Sequence, residues 1–252
     1  NTMDTLTSGA CNIAIGLNAL GAATSGCANI AIGDTAMGGA AVSDGTGSQG
    51  RHNVAIGVAS MDALTTGCNN VGVGCDTLSA LDTGYNNVAL GNSAAAKMTS
   101  GCDNIAFGQS AMCAVTVGLR NIAIGQTAMS GVTTGAANEN IGIGKDAVKG
   151  ASTTTGDNNY GIGTAAMDAI TTGSYNIALG FDALGAVTTG SCNIGIGKEA
   201  GCTVSTQNNV INIGGVQNTT AATACIGGTC LMAACFYETS DCRSKCDIKD
   251  LS

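Results

Sequence analysis

The chain has 252 residues, with 39 Gly, no Pro, 3% aromatic and 10% charged residues. Its net charge of -8 excludes the basic stripe that nucleic-acid binding needs. Hydrophobic residues make up 44% and fall in register, which excludes an intrinsically disordered chain.

From residue 12 onward one pentapeptide recurs, first as Asn12-Ile13-Ala14-Ile15-Gly16 and then at 29–33, 53–57, 70–74, 87–91, 104–108, 121–125, 140–144, 159–163, 176–180 and 193–197. The 11 copies are 17 residues apart, except for one step of 24 and two of 19. A unit this short cannot bury its own apolar face, so each must stack on the next. The fold class that follows is all-β, a parallel β-solenoid (β-roll or β-helix) of about 17-residue coils. Missing Pro agrees, because most N–H groups would join a ladder.

Within each copy the second and fourth residues are large and apolar, as in Ile13/Ile15, Val54/Ile56 and Ile105/Phe107. The third is only ever Ala or Gly: Ala14, Ala31, Ala55, Gly72, Ala89, Ala106, Ala123, Gly142, Gly161, Ala178 and Gly195. This alternation of period two, rich in Ile and Val, reads as a strand. The reading places the bulky face in the coil's own core. Small residues are demanded where another backbone comes close. The Ala/Gly column is accordingly read as the interface between neighbouring chains of a homotrimer. A narrow two-layer coil with no room on that side satisfies the same rule.

After each strand a Gly provides a turn, followed by a short second strand or bend carrying Ala and then Leu or Met, as in Ala19-Leu20 and Ala111-Met112. A second turn, often Thr-Thr-Gly (65–67, 171–173, 188–190), closes the coil. Asn at every strand entry predicts a stacked ladder of side-chain amides. Extra residues map to loops outside the coils, so 38–52 is the predicted protruding loop. The expected divisions are a repeat shaft over 1–214, a transition segment over 215–240, and a distinct terminal segment over 241–252. No secretory signal opens the chain, which begins at Asn1 and reads as a fragment or processed product. The apolar stretch 221–237 is too short and too interrupted to span a membrane.

The Asn-Ile-Ala-Ile-Gly motif, with its Ala-Leu and Thr-Thr-Gly companions, resembles the β-roll heads of trimeric autotransporter adhesins and the shafts of phage and virus tail fibres. Both groups are homotrimers of parallel coils, and the resemblance covers roughly residues 9–214. Residues 239–251, Thr-Ser-Asp-Cys-Arg-Ser-Lys-Cys-Asp-Ile-Lys-Asp-Leu, look like the opening of an endosialidase-type intramolecular chaperone. That resemblance implies a trimerisation chaperone that cuts itself off between Ser240 and Asp241, with Ser240 as nucleophile and Lys245 as its base. A serine needs such a neighbouring base to lose its proton. Ser244 and Asp247 depart from the family pattern, which has an apolar residue and Asn there.

Other chemistry is weaker. Cys27, Cys68 and Cys102 share one turn position, and Tyr85 stands between the latter two, which puts them too far apart for a disulfide. The cysteines at 225, 230, 235, 242 and 246 lack the paired short spacing of a zinc site. The only histidine, His52, lies in the long insert. Carboxylates such as Asp62, Asp146, Asp168 and Asp182 sit in turns, and seven aromatics are too few for a sugar-cleaving site. No cofactor and no metal are expected. The function expected is a rigid trimeric rod in a viral or phage tail fibre or receptor-binding spike, acting in host attachment outside the cell and matured by self-cleavage. The alternative is the head of a bacterial trimeric adhesin at the cell surface. Partners are copies of the chain itself and, through the fibre tip, a host receptor or glycan. Nucleic acid and membrane insertion are not expected.

Overall fold

The computed structural model describes residues 2–39, 50–131, 137–150, 156–215, 219–220, 223–227 and 229–232. Twelve three-residue strands mark the coils: β1 (Ile13–Ile15), β2 (Ile30–Ile32), β3 (Val54–Ile56), β4 (Val71–Val73), β5 (Val88–Leu90), β6 (Ile105–Phe107), β7 (Ile122–Ile124), β8 (Ile141–Ile143), β9 (Tyr160–Ile162), β10 (Ile177–Leu179), β11 (Ile194–Ile196) and β12 (Ile211–Ile213). With β13 (Thr223–Ile226) and β14 (Thr229–Met232) they form one sheet in chain order. Pairing is parallel as far as β13, and β14 then folds back antiparallel. This is the all-β parallel solenoid that the repeat predicts.

Register never slips. Ala14 lies opposite Ala31, Ala31 opposite Ala55, and Ala55 opposite Gly72. The 24-residue step therefore keeps the same register as the 17-residue steps. The Gly50 N–H donates to Thr66 O, and Cys27 pairs with Arg51, so the coil is re-entered by Gly50. Most of the predicted loop, residues 40–49, lies outside the described residues.

Of the short strand or bend expected for the second element, the structure has the bend: a series of turns with two left-handed residues in alternation. In the coil of β6 these are Ser110 (φ 57°) and Met112 (φ 53°). The turns stack too, because Ala95 N–H donates to Ala111 O (2.8 Å) and Met112 N–H to Ala128 O (2.9 Å). Left-handed geometry also explains the choice of side chain. Leu20, Met37, Met61, Leu78, Met112, Met129, Met167 and Leu184 all have φ between 48° and 53°, where a β-branched residue is strained. Val148 (φ 47°) is the exception.

These Leu and Met side chains, with a second row of Leu64, Leu81, Met98, Val115, Ile170, Val187 and Val204, are fully buried and form the core. They face the middle residue of each strand, the third of each pentapeptide. Ala31, Ala55, Ala89, Ala106, Ala123 and Ala178 are no more than 1% exposed, and Gly72, Gly142, Gly161 and Gly195 are likewise buried. Ala14, in the first coil, is partly buried. The sequence reading of the two faces is thus corrected: the small face points into the coil and the bulky face points out. The reason is the close approach itself. A Cβ on Gly142 would sit 2.9 Å from Ala147 O, and one on Gly195 would sit 2.7 Å from Ala200 O. The backbone demanding small residues belongs to the same coil, so the narrow two-layer alternative is the one observed.

The predicted amide ladder runs the length of the coil. Asn104 Nδ2 donates to Gly118 O (2.7 Å) and to Asn87 Oδ1 (3.0 Å). Its own Oδ1 accepts from Asn121 N–H (3.0 Å) and Asn121 Nδ2 (3.1 Å). The same links join Asn53, Asn70, Asn87, Asn140, Asn159 and Asn176, all buried. A buried amide is tolerable only when its donors and acceptor are used, and here they are. The ladder ends where Val210 replaces Asn: its N–H still takes Asn193 Oδ1 (2.9 Å), but nothing is passed on.

Candidate functional site

Turning the strands inside out relative to expectation exposes their bulky residues. The first and last residues of each of β1 to β12 line the outer face in two columns: 24 side chains, all Ile, Val, Leu or Phe except Tyr160. Alternation along a strand puts the two columns about 7 Å apart, and eleven strand steps make each about 53 Å long. Exposure is substantial in a single chain: Ile13 50%, Ile15 59%, Leu179 46%. Leu17, Val58 and Phe181, just beyond the strand-ending glycines, widen the strip. With a width near 10 Å the strip covers about 500 Å² in projection, before side-chain relief is counted, at the upper end for a lone soluble chain.

Polar columns flank it. On the strand-entry side Asn69 Nδ2 donates to Asn86 Oδ1 (3.3 Å), Asn86 Nδ2 to Asp103 Oδ1 (2.9 Å), and Arg120 pairs with Glu139 (2.6 Å). On the strand-exit side Gln126 Nε2 donates to Gln109 Oε1 (3.3 Å), and Lys145 and Lys198 continue that column. The strip is therefore apolar along its centre and mostly polar at its margins, with Leu17, Val58 and Phe181 interrupting the strand-exit column and Tyr175 the strand-entry one.

The remaining surface offers less chemistry. Burial and neighbouring Asp182 hold the Asp168 carboxyl above its ordinary value, and burial with Glu199 does the same to Asp182. Asp146 is pulled the other way by the Thr127 hydroxyl (2.7 Å) and by Lys149 (3.2 Å). Tyr85 is raised by its bond with Cys102 and by nearby negative charge. An open cavity of about 440 Å³ near the first coils is lined by Asp4, Thr5, Asn18, Thr35 and Asp62 among others. Among the described residues no group of three His, Cys, Asp or Glu side chains could hold a metal ion, and no helix is long and apolar enough to cross a membrane.

The eleven residues read as a subunit interface lie inside the coil, Ala14 only partly so. Side chains without accessible surface in one chain cannot touch another, and that assignment is withdrawn. Ser240 and Lys245 lie outside the described residues, as does the Ser240–Asp241 bond. Cys27, Cys68 and Cys102 are free thiols, whereas Cys225, buried in β13, is disulfide-bonded. The outer strip itself escapes a reading from alternation, which separates two faces without saying which is inside. The overlooked signal is the second element: two rows of large apolar residues per coil already fill so narrow a core. Comparisons with known protein families, with characterised proteins and with solved structures return no match.

Proposed function

We propose that this chain is the shaft of an extracellular attachment structure, a rigid homotrimeric rod of the tail-fibre or receptor-binding-spike kind. Its task is mechanical: to hold a receptor-binding tip away from the particle that carries it. The observation that supports this reading is the uninterrupted parallel ladder, coil on coil, doubled by stacked turns and by a buried amide column. Such a stack has no hinge between coils, since each coil is hydrogen-bonded to the next at the strand, the Asn and the turn. The repeat motif's resemblance to fibre shafts and adhesin heads supports attachment as the setting. In the same reading Lys245 takes the Ser240 hydroxyl proton, Ser240 Oγ attacks the carbonyl of the Ser240–Asp241 bond, the Asp241 amine leaves with that proton and carries the terminal segment away, and water then hydrolyses the ester left on Ser240.

Electron microscopy of the full chain tests the mechanical reading. Straight rods about 60 Å long that resist protease are expected, from roughly a dozen coils at one strand spacing each. Compact particles, or rods that bend and are cut between coils, would overturn it. Intact mass tests the processing step separately: a longer gene product ending at Ser240 supports it, and an uncut product removes it while leaving the rod.

A further inference from the structure

We propose that the open trough on the turn side of the first coils binds a linear aliphatic diamine, with one ammonium group on Asp62 and the other on Asp4. The inference does not depend on the shaft reading and gives a ligand to a part of the rod that reading leaves idle. Three observations carry it, and the first is the floor. Residues 4, 21, 38 and 62 hold the same place in successive coils, because Met3 N–H donates to Ala19 O, Leu20 N–H to Ala36 O and Met37 N–H to Ser60 O. That column reads Asp4, Gly21, Gly38, Asp62, and then Ser79, Ala96 and Cys113. Two consecutive glycines occur in it nowhere else among the described residues. Their missing side chains leave the open cavity of about 440 Å³, with a carboxylate at each end. At Gly38 nothing larger fits, since a Cβ there would sit 2.5 Å from Asn18 O.

The second observation is that the two acids lack partners. A Cβ on Gly39 would lie 2.7 Å from both Asp62 carboxylate oxygens, so this carboxylate leans back one coil, toward Asp4. Its Oδ1 is shielded from solvent and has no hydrogen-bond partner among the described residues. Neither Asp62 nor Asp4 joins the ion pairs of the described residues, and no Lys, Arg or His lines the cavity. The Thr5 hydroxyl is spent on Gly21 O and Ala23 O, and that of Thr35 on Asp34 O. An ionised carboxylate only accepts, so its ligand must donate, and a cationic donor binds most strongly. The third observation is spacing. Three coil steps put Asp4 and Asp62 about 14 Å apart, and the lean of Asp62 brings their carboxylates to roughly 10 Å. A charge-assisted bond of about 2.8 Å at each end then leaves about 4–8 Å between ammonium nitrogens. The chain of 1,4-diaminobutane matches that span, its methylenes lying over Gly21, Ala22 and Gly38. Calcium is disfavoured, because it gathers about six to eight oxygens around one point and these acids stand at opposite ends.

Calorimetric titration of the full chain tests the site, with 1,4-diaminobutane, butylamine and calcium chloride in turn, at low ionic strength where such pairs are least screened. Saturable binding of one diamine per chain is expected, with butylamine at least about tenfold weaker because it satisfies a single carboxylate. Asp4→Asn and Asp62→Asn are each expected to bring the diamine down to the affinity of butylamine. Asp103→Asn, which removes an exposed acid from another coil, is expected to leave diamine binding as in wild type. Should Asp62→Asn misfold, as its far-ultraviolet spectrum would show, Ala22→Leu narrows the trough with both carboxylates in place and is expected to abolish binding. Equal affinity for the two amines, an equal loss in Asp103→Asn, or no saturable diamine binding by wild type overturns the site. Calcium that binds more tightly than the diamine, and is lost with Asp62→Asn, overturns the diamine and assigns the carboxylate to a metal.

Discussion

Replacing Asn104 with Ala removes one rung from the middle of the amide ladder, and the consequences can be counted. Gly118 O keeps the Cys102 N–H (3.1 Å), and Asn87 Oδ1 keeps the Asn104 N–H (3.1 Å). Asn121 loses both partners on Asn104 Oδ1: its N–H is orphaned, and its Nδ2 retains only Ala137 O (2.8 Å). Each buried unsatisfied donor costs about 1–3 kcal/mol, so the substitution is expected to destabilise by about 4 kcal/mol. Because contacts are nearest-neighbour, the loss should be local. Amide hydrogen exchange reads it residue by residue. Val88, Ile105 and Ile122 are expected to exchange about a thousandfold faster, as that energy dictates, while Ile177 and Ile194 change little. An effect below about 1 kcal/mol, or one spread evenly along the chain, would refute the idea that the ladder joins coils one to the next. Asn104→Asp adds a pH signature. A carboxylate there would face Gly118 O and Asn87 Oδ1 with no proton to give, so its pKa in the folded chain must rise. The stability of this variant is then greatest at acidic pH and falls as pH climbs through the raised folded value.

Other consequences follow from the same geometry. Ala106→Leu forces a large side chain into a position where the turn backbone leaves room for a methyl, and should destabilise the coil by about 3 kcal/mol in urea unfolding, not merely separate subunits. Leu78→Ile puts a β-branched residue at φ 51° and should cost about 1–3 kcal/mol, whereas Val148→Leu relieves that strain and should gain about 1 kcal/mol by the same assay. Asp182 favours its protonated form in the folded chain, so its contribution is present at acidic pH and lost as pH rises through its folded value. Asp182→Asn should accordingly raise the melting temperature at neutral pH and flatten its dependence on pH, and a lowered melting temperature would count against the burial and Glu199 effect.

The repeat made the architecture legible because a fixed period leaves little else possible. Asn at each strand entry, the Ala/Gly restriction and the turn glycines all have one physical reason each, and all three survive in the coil. Gly108 shows why: at φ 129°, a Cβ on it would lie 2.6 Å from Gly125 O in the next coil. What stayed illegible was direction. Alternation of Ile105, Ala106 and Phe107 defines two faces of β6, and burying the larger is the ordinary choice. That choice fails here because Met112 and Val115 arrive from the turns with enough bulk to fill the interior. The left-handed turns were equally hidden, since Leu and Met are seldom read as residues of positive φ. The absence of Ile from the Leu78 column points to them, as do Asn18, Asp76, Asp146 and Asp182 at the other left-handed position of the turns.

Methyl groups report the inside and outside of the strands directly. With the alanine and isoleucine methyls labelled and a paramagnetic cosolute added, a variant carrying Leu90→Lys, Ile124→Lys and Leu179→Lys, three charges on the outer strand face, can be read coil by coil. The account predicts that the Ala31, Ala55, Ala89, Ala106 and Ala123 methyls keep their signals while those of Ile105, Ile122 and Ile177 are broadened. Broadened alanines beside untouched isoleucines would contradict it, and would return the small face to the surface.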